Sequence, residues 1–210
     1  MPNYRQRFEA MIAELSAHPA LEVSQAKLGD PTPRADIALA HEIAGAAWPD
    51  GMSELYADVG SVDIEWQVRK GDHPSGAIHI PPVRQVFDYD GLEDELWFDW
   101  LDDDSPFHDI RPIDRFVPEA YAVLYPVPSD APAKVHYHYC GESLVETELT
   151  YRDWLEALFV TRGVSYWLDI FTGPATSRTW VEEGHEAFAK LFPDFDPKRL
   201  GPTKARKVIY

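Results

Sequence analysis

The chain has one cysteine, Cys140, among 210 residues. A lone thiol closes no internal disulfide, so the core must hold the fold, and a reducing compartment is expected. Positive charge is scarce as well: 19 Lys and Arg stand against 36 Asp and Glu, a net charge of −17. That balance argues against nucleic acid or an anionic membrane as the main partner, because both repel an acidic surface. No apolar run reaches the ~18 residues that would span a bilayer. The opening segment MPNYRQRFEAMIAEL is charged and amphipathic and lacks a signal-peptide core. The expectation is a soluble cytoplasmic protein with no nucleic-acid or membrane partner. Catalytic signatures are equally sparse. There is no glycine-rich phosphate loop, and Ser53, Ser143 and Ser165 sit in no Gly-x-Ser-x-Gly context.

What is present is material for a packed core: 45% of residues are hydrophobic and 13% aromatic, as in globular chains. Tyr4, Phe8, Met11, Ile12 and Leu15 recur at helical spacing and predict a helix ending before Pro19. GDPTPR is a turn, and Pro33 opens a second helix with Ile37, Ala40, Ala44 and Ala47 on one face. A short helix with Met52, Leu55 and Tyr56 inward follows Pro49 and stops at Gly60. VDIEWQV alternates strictly and predicts a strand over 62–68, with AIHI as its antiparallel partner before Pro81-Pro82. ELWFDWL, YAVLYPV, KVHYHYC and LVETEL predict further strands. Thr150 caps a helix with Trp154, Leu155, Leu158 and Phe159 in a stripe, and Gly163 ends it. The segment after it carries a last helix with Val181, Phe188 and Leu191, and the final dozen residues read as a basic tail. These elements make an α+β fold, a central and mostly antiparallel sheet flanked by helices, with a helical C-terminal extension. The expected division is a domain over 1–163 and an extension over 164–210 packed on it.

The order of elements, with Trp48-Pro49, Leu55-Tyr56, Val59-Gly60 and Trp154-Leu155 at its landmarks, resembles the SUKH superfamily, the Smi/Knr-type fold. The resemblance covers roughly residues 34 to 160. Val59 stands where the family turn has Asn, and everything after Gly163 lies outside the pattern. The resemblance implies a binding protein without a catalytic residue set, since many bacterial members are immunity proteins that neutralise a toxin. Some eukaryotic members imply a regulatory or scaffold role instead.

Two stretches invite a site. In KVHYHYCGE, His136, His138 and Cys140 fall on one face of a strand and Tyr137 and Tyr139 on the other. Imidazole and thiolate are zinc ligands, and His136, His138 and Glu142 also match the His-x-His-x3-Glu core of the cupin metal motif. The cupin glycines are absent: Asp130 and Leu149 stand at those positions, and a helix pattern starts at Thr150. A strand whose polar face is solvated or paired accounts for the histidines, so no metal or other cofactor is expected. His41, His79, His108 and His185 are scattered singly, and Asp99, Asp109 and Asp114 become a carboxylate pair only through geometry.

The second stretch is the acidic run. Asp88, Asp90, Glu93, Asp94, Glu95, Asp99, Asp102, Asp103 and Asp104 fall within seventeen consecutive residues without a Lys or Arg. Trp97, Phe98, Trp100 and Leu101 are set among them. One account is a solvated loop that aids solubility. The other is a protein interface, in which aromatic anchors supply burial and charge speeds encounter. The sequence-level expectation is a non-enzymatic binder whose partner-binding residues are these nine acids with Trp97 and Trp100. Its expected partner is a cognate, basic, nuclease-type protein toxin. A cupin-like metalloenzyme using His136, His138 and Glu142 is the alternative from another class.

Overall fold

A computed structural model describes residues 3–71, 74–87, 105–139, 143–172, 179–200 and 208–209. Helix α1 (Tyr4–Ala17) leads into strand β1 (Leu21–Leu28), helices α2 (Arg34–Ala44) and α3 (Met52–Asp58), and strands β2 (Val62–Val68) and β3 (Ser75–Ile80). The short helix α4 (Val83–Phe87) comes next, then strands β4 (Arg111–Val117), β5 (Ala120–Tyr125), β6 (Lys134–Tyr139) and β7 (Ser143–Glu146). Helices α5 (Tyr151–Thr161), α6 (Thr179–Leu191) and α7 (Pro197–Leu200) and the two-residue strand β8 (Val208–Ile209) complete the order. The class is α+β. In place of one central sheet, the described residues form two antiparallel sheets, β1-β2-β3 and β4-β5-β6-β7-β8. The segment read as a tail contributes to the second: Val208 and Ile209 pair with Val145 and Leu144.

Local signals account for most of these elements. Strand β2 buries Val62, Ile64 and Trp66 and turns Asp63, Glu65 and Gln67 outward. Thr150 caps α5 through a reciprocal box with Asp153, whose amide donates to Thr150 Oγ1 at 3.2 Å. One hydrophobic core runs from Tyr4 through Trp66, Tyr137 and Trp154 to Phe195, so the segment after Gly163 packs into it through Trp167, Phe188 and Phe192. Arg162 ties that segment down. Its guanidinium, 7% exposed, donates to both oxygens of Glu14 and to Asp194 at 2.9 Å. A second cluster of Phe107, Ile110, Tyr121, Val123 and Leu144 covers the other face of β5–β7.

The two sheets meet at β3 and β4, which lie side by side without forming a ladder. The outer edge of β3 is closed by other groups. Ala77 N–H donates to Gly163 O at 2.9 Å, and Ser165 N–H donates to Ser75 O at 2.9 Å. His79 N–H donates to Asp114 Oδ1 at 2.8 Å. Buried backbone donors must be paired, and here a loop and a carboxylate replace a fourth strand. The loop comes close enough to exclude a side chain from Gly76, where a Cβ would sit 2.4 Å from the Trp66 ring and 2.6 Å from Gly163 O. Trp66 Nε1–H in turn donates to Arg162 O at 2.8 Å.

Gly76→Ala is therefore expected to destabilise the fold by about 1–3 kcal/mol, the usual range for overpacking. Gly184→Ala, in α6 with open space around it, should instead gain about 0.5–1 kcal/mol from helix propensity. Urea midpoints of the two variants check this, and equal shifts would contradict the packing described.

Candidate functional site

Where β4 diverges from β3, the surface opens into a groove of about 950 Å³ lined by residues of β2, β3, β4 and the Pro81–Gln85 segment. The outward side chains of β2 and β3 form its acidic wall. Asp63 and His79 face each other across the ladder, with His79 Nδ1 2.8 Å from Asp63 Oδ1 and His79 Nε2 3.5 Å from Glu65 Oε1. Gln25 Nε2–H donates to the other Asp63 oxygen at 2.8 Å. Lys27 and Arg115 also line the groove.

Asp114 is the unusual member of the lining. It is fully buried, Oδ1 accepts the His79 amide, and Oδ2 has no hydrogen-bond partner among the described residues. Burial pushes its pKa up to about 7, against the opposing pull of the His79 hydrogen bond. The groove thus has a carboxyl that changes charge near neutrality at its back and two half-exposed carboxylates on its wall.

The histidines of β6 lie elsewhere. His136 and His138 do share a face opposite Tyr137, as the alternation required, but that face is buried rather than solvated: His136 is 7% and His138 2% exposed. Phe107 covers His138 with ring centroids 4.9 Å apart, and Tyr125 meets His136 edge-on at 5.2 Å. His138 Nδ1 lies 3.1 Å from Ser143 O and His136 Nδ1 3.3 Å from Lys134 O, so each ring donates from Nδ1 to a carbonyl. Burial lowers His138 to about 4, keeping it neutral, with the Ser143 bond opposing. A cupin presents its imidazoles to an open lumen, whereas these face packed aromatic rings. Cys140 and Glu142 lie outside the described residues.

The acidic run, Asp88 to Asp104 with Trp97 and Trp100, also lies outside the described residues. Both its stems are fixed. Phe87 is buried and packs on Trp48 at 5.4 Å. On the far side, Ser105 Oγ accepts the Phe107 amide and caps the turn Pro106–Asp109, which buries Phe107 in the second cluster. Gln85, two residues before Phe87, lines the groove.

Sequence reasoning missed the groove wall. Asp63 and Glu65 were visible as the polar face of VDIEWQV, but nothing local announces that His79 stands opposite Asp63. Among the described residues, no helix is long and apolar enough to cross a membrane.

Asp114 and the buried histidines titrate in opposite senses. A carboxyl with a raised pKa stabilises the fold below its unfolded value near 4 and loses that contribution as pH climbs through about 7. His138 and His185, both lowered to about 4 by burial, stabilise above about 6.5 and lose that contribution as pH falls toward 4. Asp114→Asn keeps an oxygen for the His79 amide and removes the charge. It should raise stability at pH 8 by a few kcal/mol, at about 1.4 kcal/mol per pKa unit, with the gain vanishing near pH 4. Urea denaturation across pH measures it, and a pH-independent difference would contradict the burial of Asp114.

No family model matches the chain, and no curated protein or solved structure matches it either.

Proposed function

We propose that this chain is a non-enzymatic binding protein of the SUKH type, an immunity protein that engages and neutralises a basic protein partner, a nuclease-type toxin. The observation that carries the reading is the distribution of charge. Nine of the acids behind a net charge of −17 are concentrated between Asp88 and Asp104. Asp88 follows directly on α4, a helix that lines the rim of the groove whose wall carries Asp63 and Glu65. The run thus follows in sequence on a helix that lines the groove.

The physics of such a surface suits a protein partner. Clustered carboxylates raise the encounter rate with a basic surface. Enzymes that cleave nucleic acids hold phosphates with Lys and Arg, and carboxylates presented in their place occlude that cleft. Trp97 and Trp100 give the contact apolar anchors that set its lifetime. The groove is open to solvent and polar on one wall, which fits a protein surface better than an enclosed, apolar small-molecule pocket.

Co-expression with the product of the neighbouring gene tests the reading: rescued growth and co-purification are expected, and unchanged toxicity with no complex would overturn it. With the complex in hand, converting Asp102, Asp103 and Asp104 together to Asn should slow association about tenfold at low salt and flatten its salt dependence. An unaltered on-rate would move the contact away from the run.

A further inference from the structure

We propose that Asp63, Glu65 and His79 form a binding site for a divalent transition-metal ion, zinc(II) foremost, on the wall of the groove. One ligand atom from each of the three residues lies within 4.8 Å of the other two. Ligands on a tetrahedral zinc at ~2.0–2.1 Å are about 3.3 Å apart. Without an ion, His79 meets Asp63 through Nδ1 at 2.8 Å and Glu65 through Nε2 at 3.5 Å, so a metal takes one ring nitrogen and draws the other carboxylate round to it. One imidazole and two carboxylates are a donor set of mixed softness that suits zinc better than magnesium or calcium. Two negative charges also balance the ion.

The supports of the three ligands are already in place. Asp63 and Glu65 project from the same face of β2, two residues apart, and His79 is the cross-strand neighbour of Asp63. Gln25 holds the second oxygen of Asp63, which leaves Oδ1 turned to His79. Asp114 fixes the His79 backbone from the other side. Such outer contacts orient a ligand set before the ion arrives.

A second, independent feature also points to a ligand. Asp114 is fully buried, lines the same groove, and keeps Oδ2 without a hydrogen-bond partner among the described residues. A buried polar oxygen without a partner is costly, and a cation bound in the same groove favours its charged form. Without an ion, His79 bridges the two carboxylates as an ion-pair network, which is the state a metal would replace. All three ligands line the groove, so the remaining coordination positions are open to a donor from outside the chain. The site does not depend on the identity of a protein partner.

Equilibrium dialysis of the untagged full chain against Zn²⁺ at about 0.15 M salt, where diffuse attraction to exposed acids is screened, reads the site directly by elemental analysis. The wild type should bind one equivalent. Glu65→Gln and Asp63→Asn should each weaken binding about tenfold or more, as lost metal contacts do. Glu65 is half exposed, so Glu65→Gln should leave the metal-free thermal midpoint unchanged. The triple Asn variant at Asp102, Asp103 and Asp104 should still bind one equivalent. Three results overturn the assignment: no stoichiometric zinc on the wild type, wild-type affinity in both wall variants, or loss of the equivalent in the acidic-run variant alone. None of them depends on the immunity reading.

Discussion

The structure depends on how one strand edge is closed. Strand β3 is the last of its sheet, yet its outer edge faces the interior boundary with β4. Backbone donors there cannot be left unpaired, and among the described residues no fourth strand pairs with them. The loop after α5 serves Ala77 and Ser75, and the Asp114 side chain serves His79. Several features follow from that arrangement. Gly76 has no room for a side chain, and Trp66 packs over it and reaches Arg162. Asp114 is buried as a carboxyl with a pKa near 7. Because β4 meets β3 through a side chain and not a ladder, the two sheets part, and the groove lies between them.

The same constraint bears on the proposed binding role. A free strand edge invites strand addition, in which backbone bonds supply affinity. An edge already filled from within leaves side chains to do the work, and the proposed reading assigns that work to carboxylates. Asp63 and Glu65 stand on the groove wall, and the run from Asp88 adds nine more acids. Recognition through carboxylates gives fast, salt-sensitive encounter and selects a basic surface. In the proposed reading, the groove wall held by β2 and β3 and the acidic run both offer carboxylates to that partner.

What could be read from the sequence divides along the line between local and non-local causes. Strand β2 was legible over Val62–Val68 because one face is buried and the other wet, which writes alternation into the sequence. The cap at Thr150 and the stop at Gly163 were legible for the same reason, since both are settled within a few residues. Strand β1 was not: of its eight residues only Leu21 is buried, and Glu22, Ser24, Gln25 and Lys27 leave no apolar period. Strand β8 is two residues long and exists only through its pairing with β7. The KVHYHYC face looked polar because imidazole is polar, and its cover comes from Phe107, thirty-one residues before His138. Asp114 was visible as one carboxylate among several, but its burial is a property of the sheet boundary. The trio of Asp63, Glu65 and His79 needed the β2–β3 register, which the sequence does not state.

Hydrogen exchange at the β3 edge tests this account most directly. In the free protein, the amides of Ala77 and His79 should be protected as strongly as core amides such as that of Ile78, because Gly163 and Asp114 already bind them. Binding of a partner should leave that protection unchanged. Rapid exchange of both amides in the free chain, with protection gained only in a complex, would mean that the edge is open and that a partner strand fills it, contrary to the structure described.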